Sequence, residues 1–486
     1  MAHPNRTRNI PVSPPIPAWN LQHDGPSMLP ASYFWTWDHS CNWCLDDPGL
    51  QTRGCYNRYY KKPDTFLEDY RRLTDVAQAL DIRGIVIWGF LRDAHGGEAY
   101  ARQVADYAAA KGVAILPGVG TTWYGGVYYE GASPYALASF LEQHPDARML
   151  DDQGNPRRDH AGNYGACLAH PAYQEWLQKS LAWLFREFPI GGVNLENGDF
   201  LVDHHPLVRA LRAQWPADDP EVFFHQGMSY RQALDRMAAR LDDGLCTFAT
   251  YSGFQYSERL EQNTGMGKKA PAMFAFLPPR SIAQWTLTGM LKRPSVPLTA
   301  FLDDGAPPAV YDNPNWPRGV RPPSARSVGF LHQGSQWDQV GRYRCIVGTI
   351  KEACLRAVES GLEGISIHGE VTSRHIPWAL NYLAFSHFTH WPQDTLRAFG
   401  RKTLGQVLGS DQAGEDFAVV LAHWDAGTLT DDLRKLASPS SHGFSATSCS
   451  CACPDAESYQ RMRFWEWLES AVHHPESRYG DQSLPI

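Results

Sequence analysis

Short continuous runs of apolar residues recur along the chain, separated by longer segments with helical spacing. Such runs are typical of strands that are buried on both faces of a parallel sheet. The segments predicted as strands are 32–37, 84–88, 113–116, 191–195, 245–250, 272–277, 297–302, 327–331 and 364–367. This set is one strand too long for a barrel of eight, and the segment 281–291 fits either a helix or a strand.

Segments with apolar residues at helical spacing lie between these strands, for example 64–80 and 174–188. Strand and helix in alternation predict right-handed crossovers and one parallel sheet. We therefore predict an α/β fold, a (β/α)8 TIM-type barrel over residues 31–392. The proline-rich residues 1–30 are predicted to form an extended strap, and residues 393–486 a C-terminal helical region with a Ser/Cys-rich loop.

Composition places the chain among ordinary globular proteins, with 43% hydrophobic and 20% charged residues. The net charge of -8 and the lack of basic runs argue against a nucleic-acid or anionic-membrane partner. No apolar run approaches the length that crosses a bilayer. Because the first residues contain no apolar signal region, we expect a cytoplasmic protein.

The ten cysteines are dispersed, so free thiols are expected in a reducing compartment. Two groups of cysteines are closely spaced, Cys41 with Cys44 and Cys449 with Cys451 and Cys453. Neither group has the paired spacing of a zinc site. The prediction is no metal and no cofactor.

Polar and aromatic residues cluster where the predicted strands end. In a (β/α)8 barrel the C-terminal ends of all strands open on one face, so these residues are expected to converge. Aromatic rings there suit a sugar platform, and amides and histidines suit its hydroxyl groups. The predicted substrate-binding residues are Trp37, Asp38, His39, Trp88, Trp123, Tyr124, Asn194, Tyr251, Asp303, Asp304, His332, Gln333, Trp337 and His368. The loop from Trp123 to Tyr129 is expected to cover the cleft.

Three carboxylates at strand ends fit glycoside hydrolysis, which needs one acid as proton donor and a second as nucleophile or base. We assign Glu196 as general acid, Glu370 as nucleophile or base, and Asp199 as a catalytic partner that holds or tunes Glu196. Each of them could instead be an acid satisfied in a hydrogen-bond network or turn. Arg92, next to Asp93, fits a surface pair as well as a binder of an acidic sugar.

Three segments carry a resemblance to a known class: Phe34-Trp-Thr-Trp37 before Asp38, the segment 191–199, and Gly364-Ile-Ser-Ile-His-Gly-Glu370. Together they resemble strands of a bacterial (β/α)8-barrel glycoside-hydrolase-like protein. The broad similarity is to barrels of the hexosaminidase and α-glucuronidase kind, which implies catalytic acids at strand ends. The adjacent Asp-Glu pair of hexosaminidases is missing at Glu196, which argues against N-acetyl-assisted chemistry.

The leading hypothesis is therefore an enzyme that hydrolyses glycosidic bonds in a carbohydrate substrate. A second is a carbohydrate-binding barrel without catalysis, since fold does not fix function. A third is a metal-dependent barrel hydrolase or isomerase. Its candidate ligands would be Asp38, His39, His368, Glu370 and the pair Asp303 and Asp304.

Overall fold

The computed structural model describes residues 19, 21–38, 61–159, 162–197, 202–215, 217, 221–238, 245–250, 277–287, 297–304, 326–332, 345–368, 376–444 and 456–474. Within these ranges, parallel strands close into a barrel in which each strand pairs with the next and β8 pairs with β1. The strands are β1 Tyr33–Trp37, β2 Gly84–Trp88, β3 Ala114–Gly120, β4 Gly192–Glu196, β5 Leu245–Thr250, β6 Ile282–Thr286, β7 Ser327–His332 and β8 Gly364–His368. An α/β barrel is thereby confirmed.

Helices alternate with these strands and then continue beyond the barrel. Those before residue 391 are α1 Pro63–Ala79, α2 Gly97–Ala110, α3 Leu137–Gln143, α4 Pro171–Glu187, α5 Pro206–Arg212, α6 Glu221–Arg236, α7 Val347–Glu359 and α8 Ile376–His390. Those after it are α9 Leu396–Phe399, a π-helical turn Gly400–Leu404, α10 Gly405–Leu408, α11 Asp411–Ala426, α12 Asp431–Leu436 and α13 Ala456–His473. Short 3-10 helices lie at Asp93–His95, Pro145–Ala147, Leu298–Phe301 and Pro439–His442.

Helix α1 shows how local sequence sets these elements. Pro63 stands in its first turn, where a missing backbone N–H costs nothing, and Asp64 complements the helix dipole there. Phe66, Tyr70 and Leu73 recur at helical spacing and are buried against the sheet.

Two strand predictions need revision. The predicted strand 297–302 is wrong, because Leu298–Phe301 forms a 3-10 helix. Its apolar residues Leu298 and Phe301 are buried, and the backbone N–H of Leu298 donates to Asp425 of α11 at 2.8 Å. The ambiguous segment 281–291 supplies strand β6 instead. Most of the predicted strand 272–277 lies outside the described residues.

The barrel interior is a separate apolar cluster rich in tryptophan. Tyr33, Trp35 and Trp37 alternate inward along β1, and Trp88 of β2 and Phe330 of β7 join them. The opposite faces of the strands pack on the helices in a much larger core. Within the described residues, no helix is both long and apolar enough to span a membrane.

Residues 21–31 run across the N-terminal end of the barrel. The backbone N–H of Leu29 donates to Thr389 at the end of α8 at 3.0 Å, and that of Ala31 donates to Glu363 at 3.1 Å. Farther out, the backbone N–H of Gln22 donates to the side-chain oxygen of Gln406 in α10, and the side-chain amide of Gln406 donates to the Gln22 carbonyl. The N-terminal segment is therefore fixed to both the barrel and the helices that follow it.

Candidate functional site

Glu196 is the last residue of β4, at the C-terminal end of the barrel. Its backbone carbonyl accepts hydrogen bonds from the N–H of Thr121 at 2.7 Å and the hydroxyl of Thr121 at 3.2 Å. Since side chains two apart share one face of a strand, Glu196 points to the same side as Asn194, into the barrel. Glu196 is only 1% exposed, a degree of burial rare for a glutamate.

Asn194 is the centre of a hydrogen-bond network beneath Glu196. Its carbonyl oxygen accepts from the indole N–H groups of Trp35 at 3.2 Å and Trp88 at 3.0 Å. Its amide donates to Gln284 Oε1 at 2.8 Å, and Gln284 in turn donates to Ser366 Oγ at 2.5 Å. The network joins β1, β2, β4, β6 and β8, so the predicted ligand-binding amide Asn194 is committed to the barrel interior.

A glycine on β3 makes this network possible. Trp88 of β2 reaches Asn194 of β4 by lying across the intervening strand at Gly118. A Cβ atom at Gly118 would stand 2.3 Å from the indole of Trp88, so no larger residue fits without displacing that ring. The close approach positions Trp88 below Glu196.

Aromatic rings form one wall of the barrel end, which we call the aromatic wall and define as Trp37, Trp88, Tyr124 and Tyr129. The ring centroids of Trp37 and Trp88 are 5.4 Å apart, and Tyr124 lies edge-on to both at 6.4 and 5.9 Å. Tyr129 is 6.0 Å from Trp37. The tryptophans are buried and the two tyrosines are half-buried, so the tyrosines carry the exposed part of the wall.

Beside this wall, Asp38 and Arg92 form a buried ion pair. Arg92 Nε donates to Asp38 Oδ2 at 2.8 Å and Nη2 donates to Oδ1 at 3.4 Å. Arg92 Nη1 donates to Glu130, and the guanidinium lies 4.6 Å from the ring centroid of Tyr129. Burial alone would lower the pKa of Arg92, but Asp38, Tyr129 and Glu130 raise it above its usual value. Arg92 thus pairs with Asp38 and Glu130, while Asp93 accepts from Tyr128 and Ala132.

His95 supports the Asp38 carboxylate from behind. Its ring is stacked on Phe66 at 3.7 Å, and Nε2 donates to the carbonyl of Gly89 at 2.7 Å and lies 3.6 Å from Asp38 Oδ2. Burial lowers the pKa of His95 to about 4, so the ring is neutral at pH 7. Gly89 has a φ of +82° and passes so close to Asp38 that a side chain there would strike the carboxylate.

His368 ends β8 on the far side of the ring from β4. Its imidazole is stacked with Phe330 at 5.5 Å and lies edge-on to Trp35 at 4.4 Å. His368 therefore belongs to the same interior cluster as the tryptophans of β1.

Trp123 is 2% exposed, and its indole packs against Gly165 at the other end of the same loop. Half-buried Tyr124 and Tyr129 stand nearer to solvent in that loop. Trp123 is placed to stabilise the loop, so replacing it should cost stability as well as any ligand contact.

Six of the predicted site residues lie outside the described residues: His39, Asp199, Tyr251, Gln333, Trp337 and Glu370. Of His332, only the backbone at the end of β7 is described. Asp303 and Asp304 are described but follow a 3-10 helix, so the prediction that they end a barrel strand is wrong. Asp303 instead accepts from Arg397 of α9 at 2.9 Å. The reason for placing this pair in the site therefore falls away.

Within the described ranges, no group of three or more His, Cys, Asp or Glu side chains is arranged to hold a metal ion. Three cysteines are described there as free, Cys167, Cys345 and Cys354. Burial raises the pKa of all three thiols, that of Cys345 to about 12, so these sulfurs are poor metal ligands and poor nucleophiles.

Sequence reasoning missed Gln284, Ser366 and Glu130. Ser366 carries a usable signal, since it alternates with His368 along an apolar strand and so faces inward. Gln284 lay in the segment whose periodicity fitted both helix and strand. Glu130 meets Arg92 across a loop, a contact that no local pattern encodes.

No family model and no curated protein matches the chain. Similar solved structures include a GH138 enzyme targeting pectin rhamnogalacturonan II, at 10% identity and a TM-score of 0.44, covering 83% of this chain and 44% of that one. A GH20 exo-β-N-acetylglucosaminidase from Vibrio harveyi matches at 10% identity and a TM-score of 0.39, covering 76% and 55%. A GH36 α-galactosidase from Geobacillus stearothermophilus matches at 10% identity and a TM-score of 0.43, covering 74% and 42%.

The chain spans about half the length of these three enzymes. These three structural neighbours are glycoside hydrolases, and no specific family is identified for this chain.

Proposed function

We propose that this protein is a glycoside hydrolase whose chemistry takes place at the C-terminal end of the barrel. The observation that carries the proposal is the position of Glu196, a buried carboxyl group that ends an inward-facing row on β4. Beneath it lies the Asn194 network, and the aromatic wall stands on β1, on β2 and in the loop after β3. A carboxyl group next to rings that can stack on a sugar is the arrangement that glycosidic cleavage needs.

Glu196 serves as the general acid. Burial disfavours the charged form of a carboxyl group, so it favours the protonated form that a proton donor must have. Glu196 gives its proton to the glycosidic oxygen as the bond to the anomeric carbon breaks. The network below keeps the end of β4 fixed, because Asn194 is bonded to three other strands.

Glu370 is proposed as the second carboxylate, the nucleophile or base, with Asp199 as partner of Glu196. In support, Glu370 follows β8, which stands four positions from β4 in the ring. Inverting enzymes hold their carboxyl groups about 6.5 to 9.5 Å apart, and retaining enzymes about 5 to 5.5 Å apart. Strands on opposite sides of the ring favour the wider separation, and so we favour inversion.

The exposed tyrosines of the aromatic wall are proposed as the platform for the sugar ring. Tyr124 and Tyr129 are half-buried, so each is held in place while part of its ring meets solvent. Trp37 and Trp88 lie behind them and support them by edge contacts. Such stacking orients the sugar so that its glycosidic oxygen faces Glu196.

The test is turnover of a panel of aryl glycosides by the wild type and by Glu196→Gln and Glu370→Gln. Each substitution keeps the side-chain shape and removes the carboxyl group that acts as acid, base or nucleophile, so turnover should fall by about a hundredfold or more. Glu363→Gln is the matched control, because Glu363 lies at the N-terminal end of the barrel, paired with Arg326. Full turnover in both site variants would show that the chemistry lies elsewhere. Sugar binding by the wild type without any turnover would favour a non-catalytic barrel.

A further inference from the structure

The charged side chains beside the aromatic wall bear on which sugar the wall accepts, an inference that rests on the proposed function. We propose that the subsite bordered by Trp37, Tyr124 and Tyr129 takes an uncharged sugar and rejects one that carries a carboxylate. A barrel of the α-glucuronidase kind would need the opposite, a free cation for the acidic group. The contacts of Arg92 decide between the two.

Among the described residues, Arg92 is the cation beside the aromatic wall, and each of its three guanidinium nitrogens already donates to a carboxylate. Nε and Nη2 donate to the two oxygens of Asp38, and Nη1 donates to Glu130. The guanidinium is 5% exposed and is covered by Tyr129 on one side. A uronate carboxylate would therefore compete with Asp38 and Glu130 for the hydrogen bonds of the Arg92 guanidinium.

The backbone keeps Glu130 beside Arg92. The N–H of Asp93 donates to the carbonyl of Glu130 at 3.0 Å, and that of Tyr129 donates to Leu91 at 2.9 Å. These bonds join the two segments as a short parallel bridge. The backbone therefore fixes Glu130 beside Arg92, while the Glu130 side chain is 49% exposed.

The described groups around Arg92 are acidic in balance. Asp38 and Glu130 both accept hydrogen bonds from the Arg92 guanidinium, so two negative charges face one positive charge. Among the described groups, a sugar carboxylate beside Arg92 would therefore meet a net negative charge.

The size of the effect follows from Coulomb's law. A carboxylate placed about 5 Å from that of Glu130, near the protein surface, should bind about tenfold or more weakly than a neutral group. Salt at about 1 M reduces the Debye length to about 3 Å, so it should remove most of this discrimination. A purely steric rejection would not respond to salt, which separates the two causes.

The experiment measures binding by calorimetry, with methyl glycosides of glucose, galactose and mannose paired with the corresponding methyl uronides. The protein is the Glu196→Gln variant, so that binding is read without turnover. The neutral member of a pair should bind at least about tenfold more tightly, and less so at high salt. Adding Glu130→Gln to this variant should reduce the affinity ratio of neutral glycoside to uronide about fivefold, whereas adding Glu130→Asp should leave that ratio unchanged.

Glu142→Gln is the matched control, since Glu142 is an exposed residue of α3 in the same long loop and should leave the ratio unchanged. Equal or tighter binding of the uronide, or a ratio indifferent to salt and to Glu130→Gln, would overturn the inference while leaving hydrolysis by the wild type intact. Selective binding of the neutral sugar without hydrolysis by the wild type would support it and sink the proposed function instead. Absence of any sugar binding would overturn it outright.

Discussion

The two ends of the barrel treat charged side chains differently. At the C-terminal end, the paired side chains of Asp38 and Arg92 are each 5% exposed. At the N-terminal end, Arg326 and Glu363 also pair at 2.8 Å, but each is 35% exposed. Burying a charge costs several kcal/mol, which an exposed pair avoids. A buried ion pair at the barrel end that carries the candidate site is consistent with a function there beyond stability.

The N-terminal end also has a cavity, of about 360 Å³, lined among others by Asp81, Arg83, Lys111 and Gly112. None of the candidate site residues borders it. Its cations and anions are exposed, and Lys111 is already paired with Asp75 at 3.2 Å.

The largest stability effect is expected where the buried pair is broken. Asp38→Asn leaves Arg92 buried with half of its counter-charge and should destabilise the fold by about 3 kcal/mol or more. Glu363→Gln, at the exposed pair, should cost less than about 1 kcal/mol. Urea unfolding of the two variants beside the wild type makes the comparison. Equal losses of unfolding free energy in the two variants would show that the buried pair and the exposed pair do not differ in their contribution to stability.

The next effect concerns the interior network. Asn194→Leu removes the acceptor of two indole N–H groups and the donor to Gln284, so it should cost about 2 to 4 kcal/mol. Gln78→Leu is the control at the other end, since Gln78 donates from an exposed position to the carbonyl of Lys111. That change should stay within about 0.5 kcal/mol. A similar cost in both variants would mean that the network adds no rigidity of its own.

The smallest effect is a pH response of the N-terminal segment 21–31. His23 is stacked on His390 at 3.9 Å, and its Nε2 donates to Ser386 Oγ, which donates to the carbonyl of Leu80. Burial, followed by the nearby His390, lowers the pKa of His23 from 6.5 to about 4. The attached segment therefore binds a proton less readily than the free one.

The sign follows from that lowered pKa. Attachment is fully stable above pH 6.5 and weakens progressively as the pH falls from 6.5 towards 4. His390, His387, Asp81 and Asp24 also face His23, so their titration must be subtracted. The rate of hydrogen exchange in residues 21–31, corrected for its intrinsic pH dependence, should rise as the pH falls from 6.5 towards 4 in the wild type. It should rise much less in His23→Gln. An identical rise in both would exclude His23 as the group responsible.

Much of the barrel could be predicted because its strands are continuous apolar runs. The run around Ile85 and the run that ends at Glu196 had no competing interpretation as strands, and the candidate site is proposed at their ends. The apolar run at Leu298 was misread, since a short buried segment has the same composition in a strand and in a 3-10 helix. Only its packing against α11 decides between them.

Contacts between distant segments could not be predicted. Asp38 and Arg92 each follow a different strand, and Glu130 comes from a loop, so their pairing depends on the closed ring. Asn194 was predicted to bind a ligand because it lies near a strand end, where the polar residues were expected to converge. Its actual partners, Trp35, Trp88 and Gln284, become neighbours only inside the barrel.

The central claim is that Glu196 donates a proton to the departing oxygen. The most direct measurement is kcat/KM of the wild type and of Glu196→Gln on aryl glycosides whose leaving-group pKa values span several units. A good leaving group needs little protonation, so the variant should approach the wild type there and fall about a hundredfold or more behind on the poorest leaving group. A loss of the same size for every leaving group would contradict the assignment of Glu196 as the general acid.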